Sequence, residues 1–281
     1  MLQEPAFTDL IRSALAEDIG NGDHSTLACI PADARGGARL KIKEDGILAG
    51  MEVAEAIFHR LDASSVFKPF KKDGDSMKAG EVAFEVEASI HTLLMGERLV
   101  LNCMQRMSGI ATLTRQYVNI LQGYHTRLLD TRKTTPNFRL LEKEAVRIGG
   151  GVNHRMGLYD MVMLKDNHID FAGGITEAVT KTVAYLHRKQ LPLQIEVETR
   201  NLEDVKEVLA VGQVHRIMLD NFSPAQISEA LALIDGRYET EASGGINLST
   251  LEDYARTGVD YVSVGAVIHH AVSLDLSLKA I

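Results

Sequence analysis

Two hydrophobic periods divide the chain. Between Gly36 and Glu87 the runs are short and alternating. ARLKIKE and VAFEVEAS place apolar residues at every second position, and Gly46, Gly50, Gly74 and Gly80 punctuate them. A period of two is that of half-buried strands, so this part predicts a small sheet-rich region. Ahead of it, residues 8–17 predict an amphipathic, acidic helix that ends in a Gly- and Asp-rich turn, DIGNGDHST. Behind it, Thr92 to about Leu121 predicts one long or two short helices. Leu93, Leu94, Leu101, Met104, Ile110 and Leu113 form the apolar stripe, and Ser108-Gly109 marks a candidate bend.

After about residue 120 the pattern changes to strand followed by helix. RLLD, DMVML, LQIEVE, RIMLD, YETEAS and DYVSVG are strand candidates, with helices expected near 138–148, 174–189, 201–210, 223–235 and 248–256. Such alternation predicts parallel α/β architecture. Six clear strands are fewer than the eight of a complete (β/α)8 barrel.

Composition narrows the classes. A chain of 281 residues with 45% hydrophobic content holds one or two globular domains. No apolar run approaches the ~18 residues of a membrane span, and the N-terminus lacks a basic region followed by an apolar core. The net charge of −8 argues against nucleic acid as a partner. Cys29 and Cys103 form no metal-spacing motif and are expected as free thiols in a reducing cytoplasm. Asp18, Asp23 and His24 invite a metal reading, but Asp and Ser serving as caps in a loop is the plainer one. KKDGDSMKAGE has the texture of a carrier-domain turn, yet Lys78 lacks the flanks of a modified lysine.

Against the acidic whole, Asp130 to His168 is locally basic, with Arg132, Lys133, Arg139, Arg147, His154, Arg155 and Lys165. A bounded basic focus suits a small anionic ligand better than a polyanion. The placement adds to this, because each strand candidate ends in a residue fit for ligand work. These are Thr131-Arg132-Lys133, Lys165, Glu198, Asp220, Ser243-Gly244-Gly245 and Gly265. In barrels the C-terminal strand ends build the active site. Ser243-Gly244-Gly245 and Val264-Gly265-Ala266 follow the last two strands, where many barrels bind phosphate; the plain alternative is a pair of tight turns. Glu198 and Asp220 are carboxylates on neighbouring strands. They could act as acid and base or hold Mg2+, and Asp220 could instead cap the next helix.

The segments DTRKTTPNFR, GGGVNHRMGLYD, LKDNHI, IEVE, MLDNF and EASGGI, together with EDIGNGDHST and GERLVLNCMQRMSGIAT, occur in that order. Together they resemble the quinolinate phosphoribosyltransferase family over nearly the whole chain. The resemblance implies an incomplete α/β barrel of about six or seven parallel strands, preceded by a smaller α/β, barrel-sandwich-like domain. The expected boundaries are 1–115, 116–270 and a tail, 271–281, that packs back on the first domain. It implies phosphoribosyl transfer from phosphoribosyl pyrophosphate to quinolinate with loss of CO2, giving nicotinate mononucleotide and pyrophosphate in NAD biosynthesis. Lys133, Lys165, Glu198 and Asp220 are then the expected catalytic residues. Quinolinate is expected on Arg106, Arg132, Thr134, His154, Arg155 and Lys165. Phosphoribosyl pyrophosphate is expected on Lys133, Glu198, Asp220, Ser243, Gly244, Gly245, Val264, Gly265 and Ala266. Mg2+ is expected on Glu198 and Asp220, directly or through water. Lys165 or His154 is the expected proton source after decarboxylation. The resemblance also implies a homodimer with shared sites, Arg106 reaching the partner's barrel, and leaves open a trimer of dimers. One departure is Asn137, where the pattern leads one to expect Gly or a small residue. Rival readings are a paralogue for another pyridine acid, a class I aldolase-type lyase with Lys165 as Schiff-base nucleophile, and a non-catalytic binder.

Overall fold

The computed structural model describes residues 5–281. They form two compact units: residues up to Arg115 with Thr134–Gly150 and Val267–Ile281, and Gln116–Lys133 with Gly151–Ala266. The sequence boundaries put 116–270 in one continuous block; in the structure, 134–150 and 267–270 cluster with the first unit instead, together with the tail 271–281.

The first unit opens with α1 (Pro5–Ile19), which buries Phe7, Ile11 and Leu15 at a spacing of four. α2 (His24–Cys29) follows. The Asp23 carboxylate accepts the Thr26 amide at 3.1 Å, so this aspartate is a helix cap. The two alternating runs become β1 (Arg35–Ile42) and β5 (Val82–Ser89), paired antiparallel with Leu40 opposite Phe84. A short ladder of β2 (Gly46–Ile47) and β4 (Ser76–Met77), helix α3 (Met51–Leu61) and strand β3 (Val66–Pro69) lie between them in sequence. The C-terminal β12 (Leu276–Ala280) pairs with β1, giving the order β12-β1-β5-β3. Ala38, Leu40 and Ile42 of β1 are buried, as are Phe84, Val86 and Ala88 of β5. Phe58 of α3 meets Phe84 edge-on, with ring centroids 6.3 Å apart.

α4 (Ile90–Ile120) is one uninterrupted helix of 31 residues, so Ser108-Gly109 makes no break. Both residues are there for close approach. The Ser108 hydroxyl accepts the Ala49 amide at 3.0 Å, and a Cβ at Gly109 would lie 2.0 Å from the Val272 carbonyl oxygen. Asn137 precedes α5 (Arg139–Gly149) with φ of 61°. Asn tolerates this left-handed conformation better than other non-glycine residues, which explains how it stands where a small residue was expected.

All six strand candidates of the second unit form: β6 (Arg127–Leu129), β7 (Val162–Leu164), β8 (Ile195–Thr199), β9 (Arg216–Asp220), β10 (Glu239–Ser243) and β11 (Tyr261–Ser263). They alternate with α6 (Asp166–Ala172), α7 (Ile175–Lys189), α8 (Leu202–Val211), α9 (Pro224–Ile234), α10 (Leu251–Ala255) and α11 (Ala266–His269). Every pairing is parallel, in the order β6-β11-β10-β9-β8-β7. Because β11 returns to pair with β6, the sheet curls into a barrel with one seam, between β6 and β7. On the seam edge of β6, Val152 forms a single parallel bridge to Leu129. That bridge is the remnant of a further strand, consistent with six or seven.

Candidate active site

The parallel strands place all their C-terminal ends on one face, and a cavity of about 470 Å3 opens there. Arg132 and Lys133 follow β6, Arg155 lies in the loop across the seam, and Lys165 follows β7. Glu198 ends β8, Asp220 ends β9, Ser243 ends β10 and Ser263 ends β11. All eight line the cavity, as do Asp130, His154 and Glu241. One wall is therefore cationic and the other acidic.

On the cationic wall, Arg155 is half-buried and donates to the Met161 carbonyl at 3.2 Å. Burial and then the Arg132 charge lower its pKa from the usual guanidinium value. Two guanidiniums close enough to disfavour each other are stabilised by an anion between them. Lys165 is exposed at the mouth; its amide donates to His168 Nδ1 at 3.0 Å. On the acidic wall, burial and then the neighbouring Asp220 raise the pKa of Glu198. Asp220 is not the cap of α9. Ser223 takes that role, accepting from the Gln226 amide, while Asp220 accepts from Asn221 Nδ2 at 2.6 Å. Both carboxylates are thus turned to the cavity, and two hard oxygen donors side by side suit Mg2+.

The interior of the barrel below the cavity holds a buried ionic cluster. His154 Nε2 lies 2.9 Å from Glu196 Oε2 and 3.3 Å from Glu241 Oε2. Arg216 Nη1 is 3.3 Å from Glu241 and 4.0 Å from Glu196, and its guanidinium stacks on the Tyr261 ring at 4.4 Å. Among the described residues, His154, Glu196 and Glu241 are the one grouping of metal-ligand type. Arg216 already supplies their counter-charge, so the arrangement is that of an ion network. Burial raises the pKa of Glu196, and the adjacent Glu241 adds to this. Burial works the same way on Glu241, but His154, Ser263 and Arg216 together outweigh it and leave that pKa lowered.

The structure does not bring every expected residue to the cavity. Thr134 belongs to the first unit, where its hydroxyl accepts from Arg139 Nε at 2.9 Å. Arg106 also belongs there. Its guanidinium donates to Glu142 Oε1 at 3.0 and 2.9 Å, to the Ala271 carbonyl at 2.7 Å and to the Ile268 carbonyl at 2.8 Å. Gly244, Gly245, Val264, Gly265 and Ala266 adjoin the lining serines without lining the cavity themselves. Gly244 has φ of 97°, and a Cβ there would lie 2.2 Å from Asn221 Oδ1. It serves the packing of two successive strand-end turns. Conversely, Asp130, Glu196, Arg216, Glu241 and Ser263 were missed. The available signal was a charged residue in the middle of strands otherwise expected to be apolar, as in IEVE and YETEAS.

A six-stranded parallel barrel whose strand ends carry arginines, lysines and paired carboxylates defines the class: an α/β-barrel enzyme site for a small, multiply charged anionic substrate. The family models make it specific. Residues 23–108 match the quinolinate phosphoribosyl transferase N-terminal domain, and residues 110–279 its C-terminal domain. The chain belongs to the quinolinate phosphoribosyltransferase family. It is 46% identical over 285 residues to the chloroplastic nicotinate-nucleotide pyrophosphorylase (carboxylating) of Arabidopsis thaliana, covering 96% of this chain and 81% of that one. It is 46% identical to a probable nicotinate-nucleotide pyrophosphorylase of Synechocystis, covering 95% and 90%. The crystal structure of NadC from Streptococcus pyogenes superposes with a TM-score of 0.90 at 41% identity, covering 98% and 96%.

Proposed function

We propose that this protein transfers a phosphoribosyl group from phosphoribosyl pyrophosphate to quinolinate and releases CO2 and pyrophosphate, leaving nicotinate mononucleotide. The observation that carries this is the two-sided cavity at the strand ends, cationic on one wall and acidic on the other, in a chain of this family. Quinolinate is a pyridine with two adjacent carboxylates. Desolvating them costs several kcal/mol each without partners, and Arg132, Arg155 and Lys165 supply those partners.

In the reaction, the pyridine nitrogen attacks the anomeric carbon as its bond to pyrophosphate breaks. The acidic wall of Glu198 and Asp220 favours the positive charge that develops on the ribose. Lys133, at the exposed lip, meets the pyrophosphate. When bound to Glu198 and Asp220, Mg2+ supplies further neutralisation of the leaving phosphates. The N-ribosylated ring then accepts the electron pair of the breaking bond to the 2-carboxylate. CO2 departs, and the ring carbon takes a proton, a role that we assign to Lys165, which lines the cavity. Ser243 and Ser263, with the adjoining turns Gly244-Gly245 and Val264-Gly265-Ala266, offer hydroxyl and amide groups to the 5-phosphate. The direct experiment is an assay of pyrophosphate and CO2 release from quinolinate, with and without Mg2+. Equal turnover of nicotinate, or borohydride trapping of Lys165, would overturn the reading.

The quaternary part of the proposal is a homodimer with Arg106 acting on the partner's site. Its four hydrogen bonds hold the guanidinium rigid and leave one Nη1 hydrogen uncommitted. Mixing inactive Arg106→Ala with inactive Lys165→Ala protein should restore partial activity on subunit exchange. A fully active monomer would end the idea. Cys29 and Cys103 are free thiols, which supports a cytoplasmic or other reducing setting.

A further inference from the structure

The His154 side chain lines the cavity, yet its hydrogen-bonding atoms face the protein. Nε2 is directed at Glu196 and Glu241, at 2.9 and 3.3 Å. Nδ1 lies 2.7 Å from the Arg155 amide nitrogen. The His154 amide itself donates to Asp130 Oδ1 at 2.8 Å, and Asp130 also accepts from Asn153 Nδ2 at 2.7 Å. A backbone N–H can only donate, so Nδ1 carries no proton in this conformation and the ring hydrogen is on Nε2. Burial opposes charge on the ring, but the two carboxylates outweigh it and pull the imidazole up to about 9. The two influences conflict. The amide decides the state seen, because a protonated Nδ1 at 2.7 Å would set donor against donor.

We propose that His154 is a positioning residue and not a substrate-facing proton donor: Glu196 and Glu241 lock its ring, its Nδ1 fixes the Arg155 main chain, and Arg155 is thereby aimed at a carboxylate of the substrate. Glu196 on β8 and Glu241 on β10 are fully buried, and Arg216 of the intervening β9 lies 4.0 and 3.3 Å from them. Each keeps one oxygen, Oε1, without a hydrogen-bond partner. Such a cluster is costly as a stabiliser, so holding a neighbour in place is its better use. Asp130 completes the clamp from β6's end. The chain of contacts runs from the barrel interior to the cationic wall through one ring. The substrate's identity rests on the function proposed above; the orientation of the ring does not.

The test has two arms. In protein labelled with 15N-histidine, the ligand-free state should show the His154 Nε2–H hydrogen-bonded and Nδ1 unprotonated. Saturation with quinolinate should leave both signals in that state. Loss of the Nε2–H bond or protonation of Nδ1 on binding would overturn the proposal. The second arm is kinetic. Glu241→Ala and Glu196→Ala should raise the quinolinate KM roughly tenfold or more, with the phosphoribosyl pyrophosphate KM within about twofold. The Gln variants, which keep an acceptor oxygen, should recover to within about threefold of the natural enzyme. An equal rise in both KM values, or no difference between Gln and Ala, would make the cluster merely structural. If the natural protein failed to turn over quinolinate, the function would fall while the ligand-free spectrum still reported the ring.

Discussion

The antiparallel sheet of the first unit and the parallel barrel of the second bury their interiors in opposite ways. In the sheet layer, Leu40, Ile42, Phe58, Phe84 and Val86 are fully buried and apolar, and ionic groups such as Asp62 and Arg35 stay towards the surface; the buried ion pair of that unit, Arg106 with Glu142, belongs to its helices α4 and α5. In the second, the barrel's inner face carries Glu196, Glu241, His154 and Arg216. An apolar interior stabilises with little condition attached. A buried ionic one stabilises only while every partner is present, because removing one leaves an uncompensated charge. The barrel accepts this where a rigid, charged floor serves the cavity above it.

The contrast can be broken most forcefully at Phe84 and Arg216. Phe84→Ala should cost about 3–5 kcal/mol of stability through an unfilled apolar cavity. Arg216→Met should cost about the same by leaving two carboxylates uncompensated. The sharpening experiment replaces Glu196, Glu241 and Arg216 together by Met. Denaturant unfolding should show stability recovered relative to Arg216→Met, while quinolinate binding stays lost. If the triple variant unfolded as readily as Arg216→Met, the ionic floor would be a stabiliser after all.

Next in size are the walls. Arg155→Ala, Arg132→Ala or Lys165→Ala should weaken quinolinate binding by about 2–5 kcal/mol with little change in unfolding midpoint. Calorimetric titration beside a denaturant curve reads both. Glu198→Gln and Asp220→Asn should act differently, lowering kcat and the response to Mg2+ more than quinolinate affinity. Unchanged turnover at saturating substrates would remove them from the site.

The smallest effect belongs to the surface ionic groups of the first unit. The side chain of Ser64 and the amides of Ser89 and Ser64 donate to Asp62 and hold its carboxyl down to about 2. A depressed carboxyl contributes stability above its unfolded value of 3.8 and loses it as pH falls through the folded one. The Tm advantage of the natural protein over Asp62→Ala should therefore be small and constant at neutral pH and vanish towards pH 2. A difference that persisted there would assign it to packing.

Much of this was legible in the chain. The change of period near residue 120 located the barrel, and all six of its strands lie where the apolar runs placed them. The strand ends gave Arg132, Lys133, Lys165, Glu198, Asp220 and Ser243 directly, because a parallel sheet puts its C-terminal ends on one face whatever its details. The role of Gly109 was not legible, since glycine in a helix signals either a bend or crowding, and only the Val272 carbonyl shows the crowding. Glu142 gave no signal at all, although it accepts Arg106, Thr135 Oγ1 and the Thr135 amide.

Periodicities, turn chemistry and the order of strand ends follow from the amino-acid order alone, because they depend on neighbours within a few positions along the chain. The tertiary structure alone decided which side chains share the barrel's interior. Glu196 faces Arg216 because β8 and β9 pair in one register, and Glu241 joins them across the next strand pair. His154 arrives from the seam. Those meetings follow from lateral register and closure, which no local pattern encodes, and a charge in the middle of a strand acquires its meaning only from the partner brought beside it.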